Sequence, residues 1–89
     1  MESKEKKLLL DVEQGKECIV YRVNGQGGFR HRVMEMGFVR GEKVKVIKSA
    51  PLQDPIEYKI MQSHVSLRRT EAAHIEVVDV DELSKDEKY

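Results

Sequence analysis

The chain has 89 residues, 36% of them charged, and its 16 Lys and Arg against 16 Asp and Glu give a formal net charge of zero. That balance argues against a free nucleic-acid binder, whose affinity comes mainly from excess cations meeting phosphates. The length allows one small domain with a thin core and argues against an enzyme with a deeply buried site.

The longest aliphatic run near the start, Leu8-Leu9-Leu10, is far short of the ~20 residues of a membrane span and the ~7 to 15 of a signal-peptide core. The single cysteine, Cys18, cannot form an intrachain disulfide. Both observations point to a cytoplasmic protein in a reducing compartment, with no direct membrane insertion.

Residues 1–7 are polar and read as a flexible N-terminus. Glu17 to Val23 alternates as a strand, with Ile19, Tyr21 and Val23 on one face and Cys18, Val20 and Arg22 on the other. The glycine-dense Asn24 to Gly28 is a loop. Phe29, Val33 and Met36 then fall at helical spacing, which predicts a short helix over Phe29 to Met36. Gly37 stops it, with Phe38 packing back on Val33.

Lys43 to Lys48 alternates lysine with apolar residues, as a strand with one wet face does. Pro51 and Pro55 bracket a rigid connection. Ile56, Tyr58 and Ile60 mark the next strand, and Val65 and Leu67 another. Thr70 is the expected N-cap of one helical turn, and His74 to Val78 supplies the last strand.

The folded domain thus spans residues 8–78, and residues 79–89 read as an acidic tail or linker. The elements predict a mainly β fold: a small SH3-like β-barrel of about five strands with one short α-helix, the OB-fold being the competing choice.

Net neutrality hides a segregation of charge. Arg22 to Lys48 holds seven cations against Glu35 and Glu42, a net of +5, whereas Glu71 onward holds seven anions against Lys85 and Lys88, a net of −5. A tail that screens a basic body is one expectation that follows.

Four segments then stand in a fixed order: Val33-Met34-Glu35-Met36-Gly37-Phe38, Gly41 before a valine-rich strand, Ala50-Pro51-Leu52-Gln53-Asp54-Pro55, and Ser66-Leu67-Arg68-Arg69 with Glu71-Ala72. Together they resemble the FeoA family of bacterial ferrous iron transport, from about Leu8 to Val78. The resemblance implies an SH3-like barrel that acts with FeoB, a membrane transporter carrying a cytoplasmic GTPase domain. In some bacteria the same domain is fused to the N-terminus of that transporter. Gly27-Gly28-Phe29-Arg30-His31-Arg32 and Arg68-Arg69 are similar to the versions in such fusions. Ser66 departs from the alanine more usual there, and the helix starts from an unusually glycine-rich loop.

The candidate sites are weighed residue by residue. Gly25, Gly27 and Gly28 precede a helix, yet they lack the Lys-Ser/Thr of a P-loop and carry Arg30 where a dinucleotide fingerprint needs glycine. Cys18, His31, His64 and His74 form no CxxC or HxxxH pair. His31 and Glu35, four apart, offer only two ligands, so the ligand spacing does not support an Fe(II) site and no cofactor is expected. No nucleophile has a histidine-carboxylate partner pattern, which makes the chain a non-enzyme.

Arg30, Arg32 and Arg40 surround the helix, and with Met36 and Phe38 they suggest a basic-rimmed apolar patch that docks a protein partner. Leu52, on its stiff proline-flanked loop, is either a further contact point or a cap on the barrel's end. Asp54 is expected to fix its own turn, and Arg68 to contact groups within the fold. The partner implied by the resemblance is FeoB, through its GTPase domain, which would place the chain beside the inner membrane. Self-association through an open strand edge is also open.

Two other functions stand as alternatives. One is a regulatory SH3-like domain like that of metal-dependent repressors, which expects an upstream helix-turn-helix absent from this sequence. The other is an OB-like nucleic-acid barrel, for which only Tyr21 and Tyr58 offer stacking surfaces.

Overall fold

A computed structural model describes residues 6–49 and 52–80. Nine elements follow in order: β1 (Lys7–Leu8), a 3-10 turn (Leu9–Asp11), β2 (Glu17–Val23), α1 (Gly27–Glu35), β3 (Lys43–Lys48), β4 (Ile56–Ile60), β5 (Ser63–Leu67), α2 (Arg69–Ala72) and β6 (Ile75–Asp79). The strands form one antiparallel sheet in the order β1-β6-β2-β3-β4-β5.

The sheet curls around a single core. Val44 and Val46 of β3, Ile56, Tyr58 and Ile60 of β4, and Ile75 and Val77 of β6 are all buried in it. So are Leu9, just after the first strand, and Leu67, at the end of the last one in sheet order. Residues from the two ends of the sheet therefore share one interior, and α2 packs against the 3-10 turn beside them. This is the SH3-like barrel expected, with six strands instead of about five. The additional strand is the two-residue β1, too short to show any alternation in sequence.

The folded body reaches one residue further at each end than expected. Lys7 pairs with Val77 in the sheet and Asp79 with Cys18, and the Lys7 ammonium lies 3.2 Å from the Asp79 carboxylate. Of the expected flexible start and acidic tail, residues 1–5 and 81–89 lie outside the described residues.

One face assignment in β2 is corrected. Register runs from Val20↔Val77 directly to Arg22↔Glu76, so Tyr21 is the extra residue of a β-bulge. A bulge inserts one residue and shifts the alternation by one. Cys18 and Val20 before it and Val23 after it consequently all point into the core, while Tyr21 is turned out and half-buried.

The helix begins two residues earlier than the periodicity predicts, inside the glycine loop, and ends as expected. Phe38 N–H donates to Val33 O and Gly37 N–H to Met34 O, both at 3.1 Å, the paired bonds of a Schellman stop. Gly37 has φ +115°, so its backbone calls for glycine, and a Cβ there would stand 2.8 Å from the Met61 sulfur, which would have to move aside.

The second helix is capped two positions before the expected Thr70. Arg68 is the residue at its N-cap, and the Glu71 carboxylate accepts its N–H at 2.8 Å. Asp54 reaches across from the β3–β4 loop instead of serving only its own turn. It accepts the Arg69 N–H at 2.9 Å and lies 4.0 Å from the Arg68 guanidinium.

Candidate functional site

The β2 bulge and the α1 stop together build a pocket. The bulge turns Tyr21 outward with Arg22 beside it, and the Schellman turn delivers Phe38, Val39 and Arg40 to the same place. Arg30 and Met34, one turn apart on α1, close the side, and the cavity measures about 260 Å³.

Its charged lining residues are all cations. The Arg40 guanidinium lies 4.5 Å from the centre of the Tyr21 ring, that of Arg22 5.9 Å, and the Lys6 ammonium 4.7 Å. Such placement over an aromatic face is worth about 0.5–1 kcal/mol for each exposed cation, which offsets part of their mutual repulsion. Arg30 is held by a 3.3 Å bond from its Nε to the Val23 carbonyl, and among the described residues its terminal nitrogens have no partner. Among the described residues none of Arg22, Arg30 and Arg40 has a carboxylate within ion-pair distance.

The six expected contact residues divide. Arg30 and Arg40 meet at the pocket. Phe38 does not reach the surface as a contact: it is fully buried, edge-to-face with Tyr58 at 6.3 Å, and only its body contributes to the floor. Its aromatic area goes to the core because the Schellman turn swings the residue after Gly37 back over the helix. Arg32 is bound to Glu71 of α2. The Arg68 N–H, with Arg32 next in weight among the favourable contacts, holds the Glu71 carboxyl below its ordinary value against the opposing effect of burial.

Met36 is half-buried against the core. Leu52 is 96% exposed, but it follows the end of β3, whereas Ile19↔Lys43 register puts Tyr21 to Val23 beyond the start of that strand. Leu52 thus sits at the other end of the barrel from the pocket. Tyr21, Arg22, Met34 and Val39 were not singled out as contacts. For Tyr21 the misleading signal was the alternation itself, which the bulge breaks.

The potential metal ligands are scattered. His31 Nε2 lies 3.0 Å from Glu35 and His64 Nδ1 2.8 Å from Glu57, while His74 packs edge-to-face on Phe29 at 5.6 Å. Among the described residues no three His, Cys, Asp or Glu side chains converge as a metal site. Burial, and after it the Asp79 charge, pushes the Cys18 thiol up to about 12, which leaves it protonated and inert at neutral pH. Among the described residues no helix is long and apolar enough to cross a membrane.

The FeoA domain family matches residues 7–79. The chain belongs to the FeoA family. Within it, this FeoA domain is 49% identical over 69 residues to the Porphyromonas gingivalis "Fe(2+) transport protein A/Fe(2+) transporter FeoB fusion protein", a match covering 78% of this chain and 8% of that protein. The chain therefore spans about a twelfth of the length of the curated relative.

Among solved structures, the FeoA protein of Chlorobium tepidum superposes with a TM-score of 0.77 at 36% identity, covering 83% of this chain and 70% of that one. Stenotrophomonas maltophilia FeoA complexed with zinc, described as a prokaryotic SH3 domain protein, superposes at 0.72 with 25% identity, covering 84% and 92%. A manganese-dependent transcriptional repressor gives 0.80 at 18% identity, covering 89% and 44%, and so shares the fold alone.

Proposed function

We propose that this FeoA domain is a non-catalytic accessory module of ferrous iron uptake, which docks at the cytoplasmic side of a FeoB-type transporter and modulates its transport or GTP hydrolysis. The carrying observation is the 49% identity to a segment of a protein that joins the two activities in one chain. A domain fused to a transporter works beside it at high effective concentration, and a similar domain is suited to a similar contact. Arg22, Arg30 and Arg40, without an ion pair among the described residues, supply a surface of the kind that anchors protein partners.

The repressor-module alternative rests on fold alone, and fold does not carry function. The nucleic-acid alternative loses a stacking surface, because Tyr58 is fully buried.

The test is a titration of the chain against the cytoplasmic GTPase domain of the FeoB protein from the same organism, reading both complex formation and GTP turnover. Binding with an altered turnover is expected. Absence of binding to that domain and to the full transporter would overturn the proposal. Arg30→Gln combined with Arg40→Gln should weaken the complex while leaving the fold intact, since neither residue has an ion pair within the described fold.

A further inference from the structure

The docking reading leaves open which chemical group on the partner the pocket receives. We infer that the pocket framed by Arg22, Arg30 and Arg40 around Tyr21 takes the carboxylate side chain of an acidic protein segment. This deepens the docking reading and rests on it.

Sign of charge is the first ground. Arg22, Arg40 and Lys6 gather about the Tyr21 ring and Arg30 lines the same pocket, and no described carboxylate neutralises the arginines. The aromatic face relieves only part of that repulsion, so an entering anion releases the remainder. The larger groove elsewhere, about 570 Å³ between the 3-10 turn and the end of β6, has Lys7 and Lys16 interleaved with Asp11, Glu13, Glu17 and Asp79. Its mixed signs favour neither kind of ion.

Size and lining are the second ground. At about 260 Å³ the pocket falls below the roughly 300–1,000 Å³ of small-molecule sites and accepts a side chain. Its floor is apolar, formed by Met34, Phe38 and Val39, which suits the methylene stem of a glutamate as its head meets the guanidinium edges. A guanidinium presents a fork of N–H donors that matches a carboxylate two-pronged, which a lysine ammonium does not. A bare phosphate would leave the apolar floor without a partner.

The experiment uses the full 89-residue chain with nitrogen-15 labelling. Its probes are a synthetic peptide of alternating Glu and Leu, the same peptide with Gln for Glu, and inorganic phosphate, all at matched ionic strength. The Glu peptide should shift the Tyr21 amide and the Nε–H signals of Arg22, Arg30 and Arg40. The combined R22Q, R30Q and R40Q variant should lose about tenfold or more in affinity, about 1.4 kcal/mol, with the Tyr58 and Val77 amides unmoved as a check on the fold.

Equal binding by the Gln peptide, equal shifts by phosphate, or full affinity in the triple variant each overturns the inference. If the triple variant fails to fold, R22Q and R40Q singly carry the same test. Against the FeoB GTPase domain, loss of binding in the variant supports the pocket. Retained binding overturns the pocket but not the docking. No binding by the wild-type chain overturns the docking reading, while the peptide result still decides the pocket.

Discussion

Tyr58 is the buried residue with most left to explain. Its ring completes the core against Phe38, but its hydroxyl has no hydrogen-bond partner among the described residues. Burial raises the phenol far above its ordinary value, so it stays neutral and its cost is that of an unsatisfied dipole. Tyr58→Phe keeps the aromatic contact and removes that dipole. Thermal unfolding should show it more stable by about 1 kcal/mol, and a loss of stability would mean the hydroxyl is bonded. Glu71 is the opposite case, a carboxylate with every reason to stay charged. The Arg68 N–H, above all, and then Arg32 hold its folded value below the ordinary 4.5. A depressed carboxylate contributes stability that is present above its unfolded value and lost as pH falls through its folded one. Glu71→Gln should therefore cost about 1 kcal/mol at pH 7, in line with a charged helix cap, and the deficit should shrink below pH 4.5. Urea unfolding at pH 7 and pH 3 checks this; an equal deficit at both would mean that shape and not charge is responsible.

Among the elements, the β4–β5 hairpin carries visible strain. Ile60 pairs with Ser63 across a two-residue turn, and both turn residues have positive φ, Met61 at 51° and Gln62 at 69°. Such turns favour glycine at the second position. The strain at Met61 is held because its sulfur packs over Gly37, the stop of α1, and no such contact holds the exposed Gln62. Gln62→Gly should raise stability by about 0.5–1 kcal/mol, read as an increase in melting temperature, and unchanged or lower stability would show that the turn is unstrained. Helix α1 illustrates a different dependence. Of its nine residues only Val33 is fully buried, and a helix this short is held by packing rather than by propensity. Its position is set at the end by the Schellman bonds and at the side by the Arg32–Glu71 bridge to α2.

Residues 81–89 hold four acids against two lysines, so a chain without them has a net charge of +2. The deletion begins at residue 81 because Asp79 belongs to β6 and pairs with Lys7. Deleting 81–89 should strengthen binding of the Glu-Leu peptide at low salt, with the gain vanishing as ionic strength approaches about 0.15 M, where screening acts within about 8 Å; a salt-independent gain would rule out simple screening. Much of this fold was legible beforehand. The strand periods, the Gly37 stop with Phe38 folding back, and the order of motifs across nearly the whole domain are local facts, written in residues a few positions apart. They determined a small SH3-like FeoA barrel with a basic region around its helix. The bulge at Tyr21 was not legible, because an inserted residue is visible only against the partner strand, where Val20 and Arg22 meet consecutive residues of β6. Nor was the fate of the arginines, since Arg32 and Glu71 are 39 positions apart. Composition and period thus determined which charges the chain carries and roughly which elements bear them. Only the tertiary structure decided which are neutralised at home and which stand open around Tyr21, because pairing depends on distances that closing the barrel creates.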